Sequence, residues 1–567
     1  MKAFRKRKAF LYIYAKPINM TVKLLFAGAA ALFCSASFSQ NLVLDSDFGS
    51  AGKTLTSFGV DDSILATLAL QPDGKIVACG SYYRYNPAPN SYPHVINQVA
   101  LSRYNPDGSI DTGFGTNGKA IIPVGADYEN ENNTVHILND GKILVMANYA
   151  GGTLPFNMID DYVLIRFNSN GTPDTGFGIN GIVKIDYPNS LGGSYDRSCA
   201  MQVQADNKII IGGYSNQPSF TSSLPDFAIS RFNADGSKDL GFGTNGISRA
   251  NFGNVPNNIA DTEDMLTDLR IQADGKIIAC GSTGDLDNND VALVRFNANG
   301  SIDTAFGTDG HVVTDFGLHG TSATSLELQP DGKIVAVGNY FYNDDQNYKM
   351  IAARYNPDGS LDNTFGVGGK VMAEDGSSNP KALAFNSHLM GDGKIVLIGC
   401  VSNTTDTATA SLLRLNTDGS YDTSFGNNGF LHVDVASNSV AYDLLELADG
   451  KIILGGSTGF DNVTSQFVLW KLEEPGLSAI KFASSAFSIA PNPFDDYINV
   501  DFNLLQGALL SFELNDSNGR LVGNLAEKKL FDAGKNSFHM NMPNLPEGIY
   551  FLKISDGANT TSVKLVK

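Results

Sequence analysis

Short stretches of alternating apolar and polar residues recur along most of the chain, and each is followed by a tight-turn signal. The stretch 325–329 precedes Asp331-Gly332-Lys333, and an apolar stretch, 334–338, follows it. Alternation with a period of two predicts a half-buried β-strand, and Asp-Gly between two such runs favours a tight hairpin turn. The pattern therefore predicts an antiparallel hairpin here.

This hairpin signal occurs seven times. The copies of Asp-Gly-Lys-Ile begin at Asp73, Asp140, Asp206, Asp274, Asp331, Asp392 and Asp449. In the third copy Asn207 replaces glycine, and asparagine also tolerates a positive φ. A sevenfold hairpin predicts a repeat protein, which also explains how 567 residues can form a core without many separate domains.

Two further motifs recur with the hairpin. A turn of the type Arg-x-Asn-x-Asx-Gly follows a third strand, and its copies begin at Arg103, Arg166, Arg231, Arg295, Arg354, Arg414 and, in a divergent form, Lys471. The motif Asp-x-x-Phe-Gly then leads into a fourth strand, and its copies begin at Asp45, Asp111, Asp174, Asp239, Asp303, Asp362 and Asp422. All three motifs count to seven.

The two ends of the repeat region are complementary. The last copy stops after Gly476 without its Asp-x-x-Phe-Gly, and the chain opens at Asp45 with that motif and a strand at 53–58. The repeats average about 62 residues, which fits four short strands and their turns. We therefore predict an all-β fold: a seven-bladed β-propeller with four-stranded blades, closed by the N-terminal strand. An open β-solenoid would not need complementary ends.

The repeats resemble the delta-60 repeat family of β-propellers over residues 45–476. The three motifs above carry the resemblance. It implies the fold and, by analogy, a secreted or surface location, but it implies no chemistry.

The N-terminus has the pattern of a signal peptide. Basic residues precede an apolar run at 24–33, and Ser37-Phe38-Ser39 places small residues where a signal peptidase cleaves. We expect residues 1–39 to be removed, with Met20 as an alternative start. The run is too short to span a membrane, so we expect no transmembrane segment in the mature chain.

The net charge of the chain restricts the kinds of partner it can bind. Residues 1–39 hold seven Lys and Arg and no acid, so their removal shifts the net charge from −19 to −26. Such an acidic protein is a poor nucleic-acid binder. The acid is most simply explained by solubility through mutual repulsion, and affinity for cations is the alternative.

The chain after the repeats has a different pattern. A linker at 477–485 leads into strand-like segments that predict a small C-terminal β-sandwich at 486–567, after the propeller of 40–476. This segment is similar to the C-terminal sorting domain of the type IX secretion system of Bacteroidetes, down to its ending at 563–567. The similarity implies handling by that machinery after transit of the periplasm, removal of the tail, and a secreted or outer-membrane surface location. A carbohydrate-binding sandwich is the alternative.

Four cysteines remain in the mature chain: Cys79, Cys199, Cys280 and Cys400. Cys79 and Cys280 occupy equivalent strand positions in different repeats, which are too far apart for a disulfide bond. We expect buried free thiols, since no metal-ligand spacing is present.

A cofactor is not expected, with one weak exception. Asn105, Asp107 and Asp111 and their copies supply oxygen atoms at spacings that loosely resemble a calcium loop. Asx-and-Gly turns account for the same residues, and the bidentate Glu of a calcium loop is missing. Calcium is therefore the lesser interpretation.

The repeated turns all fall on one face of such a propeller, and the opposite face carries loops that differ between repeats. Binding residues concentrate in variable loops held by a rigid scaffold. The candidate ligand-binding residues in these loops are Tyr128, Glu129, Tyr195, Asp196, Arg197, Glu263, Asp264 and His319.

No catalytic motif is present, so no catalytic residue is assigned. The sequence favours a non-enzymatic scaffold that binds a glycan or a surface protein. The alternative is a secreted hydrolase or lyase that degrades polysaccharide or peptide with the loops at the channel mouth. Glu263 and Asp264 would be its acid/base pair, although adjacent residues of an extended chain point apart.

Overall fold

The computed structural model describes residues 42–567 apart from 86–94, 127–132, 151–159, 186–196, 217–223, 254–261, 285–287, 318–319, 342–347, 375–380, 403–406, 434–437, 460–463, 474–486, 505–507, 518, 532–533 and 556–559. Every regular element in this part of the chain is a β-strand. None of its segments is a helix able to cross a membrane. The chain divides into two compact units, one ending at Leu472 and one beginning at Glu473.

The first unit opens with β1 (Val43–Leu44) and β2 (Lys53–Thr56), and then forms antiparallel sheets in chain order. Sheet 1 holds β3 (Ser63–Leu70), β4 (Ile76–Tyr85), β5 (Val95–Tyr104) and β6 (Lys119–Ala126). Sheet 2 holds β7 (Thr134–Ile137), β8 (Ile143–Ala150), β9 (Asp160–Phe167) and β10 (Ile182–Ile185), and one parallel bridge between β6 and β8 joins it to sheet 1. Sheet 3 holds β11 (Arg197–Val203), β12 (Ile209–Asn216), β13 (Pro225–Phe232) and β14 (Ile247–Ala250).

The next sheets repeat this order. Sheet 4 holds β15 (Glu263–Ile271), β16 (Ile277–Gly284), β17 (Asp290–Phe296) and β18 (His311–Thr314). Sheet 5 holds β19 (Thr321–Leu328), β20 (Ile334–Tyr340), β21 (Lys349–Tyr355) and β22 (Lys370–Ala373). Sheet 6 holds β23 (Lys381–Leu389), β24 (Ile395–Ser402), β25 (Ala408–Leu415) and β26 (Phe430–Val433).

Sheet 7 combines the two ends of the repeat region. It holds β27 (Ser439–Glu446), β28 (Ile452–Thr458) and β29 (Gln466–Glu473), and the N-terminal β2 pairs with β29 in the register Lys53 to Trp470 and Thr56 to Phe467. The first unit is therefore all-β and built largely of four-stranded antiparallel sheets, as the motif spacing predicts.

The hairpin between the first two strands of each sheet forms at the repeated Asp-Gly-Lys. In sheet 1, Gln71 N–H donates to Lys75 C=O and Gly74 N–H donates to Gln71 C=O. Gly74 has a φ of +81°, and Asn207, which replaces glycine in the third copy, has a φ of +62°. Asparagine is thus used here for its tolerance of the left-handed region, as expected.

The core lies between neighbouring sheets. Each buried apolar cluster joins residues of two consecutive sheets, and one cluster joins Ile453 and Phe467 of sheet 7 to Leu65 and Ala100 of sheet 1. The first strands β3, β7, β11, β15, β19, β23 and β27 also contact one another in that order, and β27 contacts β3. Burying both faces of a sheet against neighbouring sheets explains why second and third strands are almost continuously apolar.

The second unit contains two sheets around one core. β30 (Phe487–Ala490), β31 (Tyr497–Leu504) and β34 (Gly534–Asn541) form one sheet, and β32 (Ala508–Asp516), β33 (Leu521–Phe531), β35 (Ile549–Ser555) and β36 (Thr560–Val566) form the other. Their shared core includes Ile498 and Phe512.

The cysteines that the structure describes are free thiols. Cys79, Cys280 and Cys400 are buried, and Cys199 is half-buried. Burial raises the pKa of the Cys400 thiol to about 12. The buried thiols of Cys79, Cys280 and Cys400 are therefore inert packing residues, as expected, whereas Cys199 is less buried than expected.

Candidate functional site

The three repeated motifs meet in one ionic arrangement. In six repeats the Asp of Asp-x-x-Phe-Gly accepts from the Lys of the hairpin and from the Arg before the second turn. In the last repeat Lys471 replaces the Arg and lies 3.5 Å from Asp45. The Lys-to-Asp distances are 2.8 to 3.1 Å and the Arg-to-Asp distances 2.6 to 2.8 Å. The trios are Lys75–Asp111–Arg103, Lys142–Asp174–Arg166, Lys208–Asp239–Arg231, Lys276–Asp303–Arg295, Lys333–Asp362–Arg354, Lys394–Asp422–Arg414 and Lys451–Asp45–Lys471.

The trio of sheet 5 shows the electrostatics. The side chains of Asp362 and Arg354 are each only 6% exposed. Burial opposes ionisation of Asp362, but hydrogen bonds from Thr364 and Lys333 and the charge of Arg354 outweigh it and hold the pKa of this carboxyl well below its usual range. Asp362 is therefore a structural anion with its charge fully compensated.

The same Arg side chains link neighbouring sheets. Arg295 Nη1 donates to Pro357 C=O in the next sheet at 2.5 Å, and Arg231 Nη1 donates to Ala298 C=O at 2.7 Å. Each guanidinium also lies over the Phe of its own Asp-x-x-Phe-Gly, as in Arg295 over Phe306 at 4.5 Å. One Arg per repeat thus fixes a turn, a ring and the neighbouring sheet at once.

The glycine that ends the second turn is required by this packing. Gly359 has a φ of +89°, and a Cβ on it would lie 2.9 Å from Gly307 N and 3.0 Å from the Phe306 ring of the preceding sheet. Gly307 N–H in turn donates to Asp358 C=O at 2.8 Å. The repeated motifs are therefore bonded both within a repeat and to the neighbouring sheet.

The calcium candidates take part in these turns. Asn105 donates to Ser109 Oγ, and Asp107 Oδ1 accepts from Ser109 N–H and Oγ. Asp111 accepts from Lys75, Arg103 and Gly113 N–H. Turn hydrogen bonds thus account for all three residues, and the described part of the chain holds no group of three acidic, His or Cys side chains placed to bind a metal.

The candidate ligand-binding residues of the variable loops are not brought together in the described structure. Tyr128, Glu129, Tyr195, Asp196 and His319 lie outside the described residues, and Arg197 is the first residue of β11.

Glu263 and Asp264 lie in the first strand β15 rather than in the preceding loop. The loop assignment was therefore wrong for them. Asp264 is fully buried and accepts from Thr262, Thr283 and Phe252 N–H. Burial raises its pKa to about 6, but its oxygens are already occupied, so it stabilises the start of the strand.

The first strands carry a second polar arrangement, which sequence reasoning missed. The register of β15, β19, β23 and β27 shifts by one residue at a β-bulge, and Asp268, Ser325, Asn386 and Asp443 directly follow it. Asp443 Oδ2 accepts from Leu68 N–H of sheet 1 at 2.7 Å. Asp268 Oδ2 likewise accepts from Leu326 N–H at 2.8 Å. The residue after the bulge therefore ties one first strand to the next.

Two residues further along these strands lie charged side chains that the repeat does not require. Arg270 Nη1 donates to Asp268 Oδ1 at 2.6 Å, while its Nη2 lies 4.0 Å from Glu327 Oε1, beyond hydrogen-bonding distance. The Arg270 side chain is 24% exposed and that of Glu327 15%. Burial raises the pKa of Glu327 to about 7, although Arg270 acts to lower it. Glu327 thus exchanges a proton near neutral pH.

Another pair of titratable side chains, His388 and Glu446, lies on the next two first strands, β23 and β27. His388 Nε2 is 3.7 Å from Glu446 Oε2, which also accepts from Gly391 N–H. Asn386 Nδ2 donates to Asp443 Oδ1 at 3.0 Å, and Arg270 acts electrostatically on both His388 and Asp443. We call Arg270, Glu327, Asn386, His388, Asp443 and Glu446 the inner polar cluster.

An aromatic pair adjoins this cluster. Phe385 and Tyr442 occupy the bulge positions of β23 and β27, their ring centroids are 5.3 Å apart, and Phe385 is 37% exposed. We call these two residues the aromatic platform. It lies directly before Asn386 and Asp443 in the chain, so aromatic and polar groups share one stretch of the first strands.

The sequence contains a signal for the inner polar cluster. With the repeats aligned on the hairpin Lys, the position six residues earlier reads Ala69, His136, Gln202, Arg270, Glu327, His388 and Leu445. Charged residues in only some copies of a strand position cannot serve the repeat itself, and this contrast marks the cluster.

Each of the two units matches a known protein family. Residues 71–114, 138–177, 204–242, 272–306, 329–365 and 391–425 match the β-propeller domain of unknown function DUF5122. Residues 488–567 match the secretion system C-terminal sorting domain. The resemblances inferred from the motifs are confirmed, and the sorting domain indicates a secreted or cell-surface protein.

Solved structures with similar architecture are distant in sequence. A protein of unknown function from Dyadobacter fermentans is 12% identical, with 75% of this chain and 98% of that chain covered and a TM-score of 0.37. Virginiamycin B lyase from Staphylococcus aureus is 11% identical (74% and 98% covered, TM-score 0.39), and polysaccharide lyase Uly1 is 13% identical (76% and 92%, TM-score 0.38). None of the curated protein sequences matches this chain.

Proposed function

Because the chain carries DUF5122 β-propeller repeats and ends in a type IX secretion sorting domain, we propose that it is an exported, closed, seven-bladed propeller that acts as a non-enzymatic binding scaffold. In this proposal residues 1–39 are the signal peptide, 40–476 the propeller and 486–567 the sorting domain. The ligand is a glycan or a surface protein, and its site is the ring of first strands.

Contacts between the chain ends support closure. Asp45 Oδ2 accepts from Lys451 at 2.8 Å and lies 3.5 Å from Lys471 Nζ. Asp45, at the start of the repeat region, therefore completes the last ionic trio. Asp45 N–H also donates to Lys471 C=O at 2.8 Å. A sheet completed by both ends removes an exposed edge and ties the termini together.

The observation that carries the binding role is the exposed aromatic platform beside the inner polar cluster. First strands of a propeller surround its central channel. There, Phe385 keeps 37% of its surface exposed, and Arg270 and Glu327 remain partly exposed with a gap between them. An aromatic surface with a few convergent polar groups is typical of ligand sites.

Direct binding tests the proposal. The mature chain is probed on a glycan array and crosslinked on intact cells, with a heat-unfolded sample as the control. We expect saturable binding to a glycan class or reproducible crosslinks to a surface protein. Absence of both would contradict the scaffold.

The runner-up is a hydrolase or lyase, and one observation favours it: the carboxyl of Glu327 has a pKa of about 7, suited to acid/base chemistry. Asp264 is not suited to it, because its oxygens are occupied. Turnover of any bound polysaccharide or peptide that is lost in Glu327→Gln while binding persists would establish the enzyme.

A further inference from the structure

The exposed ring of Phe385 is not required by the β-bulge. The bulge position that holds Phe385 and Tyr442 is occupied by Ala66, Cys199, Thr267 and Thr324 in other sheets, and two of these make structural contacts: Thr267 donates to Ala323 C=O and Thr324 to Ala384 C=O. Small residues therefore suffice to build the bulge. Tyr442 also packs against buried apolar residues of the neighbouring sheets, whereas Phe385 keeps 37% of its surface in water.

Polar groups on the two preceding first strands are arranged to bind hydroxyl groups. Arg270 Nη2 and Glu327 Oε1 are 4.0 Å apart, which is too long for a direct hydrogen bond but suits one oxygen bridging a donor and an acceptor. Asn386, beside Phe385, connects the two regions, because its Oδ1 accepts from Ser325 Oγ at 2.9 Å, two residues from Glu327.

The charge of the cluster selects among ligands. The carboxylates of Asp443 and Glu446 in the cluster, with Asp268 beside Arg270, outnumber the one guanidinium, so an anionic group would meet net repulsion. An ammonium group would have to compete with the fixed guanidinium of Arg270. A ligand that presents uncharged groups, each both donor and acceptor, fits best.

We propose that the aromatic platform and the Arg270–Glu327 pair together bind the pyranose ring of a neutral glycan. The apolar C–H face of the sugar lies on Phe385 and Tyr442, and a ring hydroxyl bridges Arg270 and Glu327. This assignment rests on the proposed scaffold function and specifies its ligand. An aromatic side chain contributes a large apolar contact, and the polar pair fixes the orientation of the ring.

Binding of defined oligosaccharides to the immobilised mature chain tests this assignment. The probes are neutral β-glucan, xylan and mannan oligosaccharides, an anionic polygalacturonate series and a cationic chitosan series. We expect saturable binding of at least one neutral series, and a loss of at least tenfold in affinity in Phe385→Ala with an unchanged melting temperature. Phe385→Tyr keeps the ring and should bind within about threefold of the unaltered chain.

Val367→Ala is the matched control, since Val367 is an apolar side chain 88% exposed in a turn of the repeated face. Its binding should be unchanged. Neutral binding that is unaffected by Phe385→Ala would overturn the site while leaving the scaffold function intact. Stronger binding of the charged series would overturn the ligand class. If no series binds but a surface protein is crosslinked, the sugar assignment falls and the scaffold function stands.

Discussion

The repeated turns keep the same residues from sheet to sheet, whereas the first strands carry different residues at equivalent positions. At the turns, the Lys–Asp–Arg trio recurs from sheet to sheet with distances that vary by about 0.3 Å or less, apart from Lys471 in the last copy. On the first strands, the position six residues before the hairpin Lys reads Ala69, His136, Gln202, Arg270, Glu327, His388 and Leu445. A residue that mediates the contact between neighbours must repeat with it, whereas a residue inside the ring of first strands is free to differ.

A substitution in the repeated turns should cause the largest loss in the free energy of unfolding. Gly359→Val places a branched side chain in the left-handed region and against Gly307 N and the Phe306 ring, so we expect a loss of about 4 kcal/mol or failure to fold. Urea unfolding of the purified chain measures it. Gly368→Ala, at a φ of +60° with nothing within 4 Å of the added Cβ, should cost only about 1 to 2 kcal/mol. Equal costs for the two would mean that the sheet contact is unimportant.

Removal of one trio carboxylate should have the next largest effect. Asp362→Ala leaves Arg354 and Lys333 without their buried partner, and we expect a loss of about 3 to 4 kcal/mol at pH 7. Asp392→Ala, in an exposed hairpin turn, should cost less than about 1 kcal/mol.

The trio also sets the response to acid. Because the pKa of Asp362 is lowered by folding, its contribution is present above the unfolded-state value of about 4 and is lost as the pH falls further. Stability curves of the unaltered chain and Asp362→Ala should therefore converge below pH 4. A constant difference down to pH 2 would contradict this role.

The first strands should respond to pH in the opposite direction. Folding raises the pKa of Glu327 to about 7, so ionised Glu327 destabilises the protein increasingly from about pH 4 to pH 7. Glu327→Gln should raise the free energy of unfolding by about 1 to 2 kcal/mol at pH 8 and leave it unchanged at pH 4. Thermal unfolding across this range measures the change, and Glu547→Gln, exposed in the C-terminal unit, should show none.

The smallest expected effect on stability concerns Lys471, in the sheet that joins the two ends of the repeat region. Lys471 occupies the position that holds Arg in the other trios and lies 5.8 Å from the Phe48 ring. Lys471→Arg should place a guanidinium Nε–H on Asp45, as Arg295 does on Asp303, and add a donor to Pro106 C=O, as Arg295 does to Pro357, and so stabilise by about 0.5 to 1 kcal/mol. Lys53→Arg in the neighbouring strand should change little. A destabilised Lys471→Arg would contradict the equivalence of the last trio with the others.

Much of the fold could be predicted because its signals are local. Asp-Gly-Lys closes a hairpin through bonds within five residues, and the N-terminal strand predicted at 53–58 is observed at Lys53–Thr56. The loop assignment of Glu263 and Asp264 failed because strand β15 begins before its apolar alternation becomes evident, and a buried carboxylate held by Thr262 and Thr283 reads in sequence like a solvated one.

The contacts within the inner polar cluster could not be predicted, because its members lie on strands β15, β19, β23 and β27, which are separated by about 60 residues each. Nothing local distinguishes Arg270 from a surface arginine. Its meaning comes from Glu327 lying 4.0 Å away in the next sheet.

The sequence by itself determined the repeat, the hairpins and the C-terminal sorting domain, since each depends on turn chemistry, strand alternation or a contiguous motif. Only the tertiary structure decided which polar residues serve the fold and which remain available. That division depends on which side chains meet across neighbouring sheets, and spacing along one strand carries no information about the residue that faces it from the next.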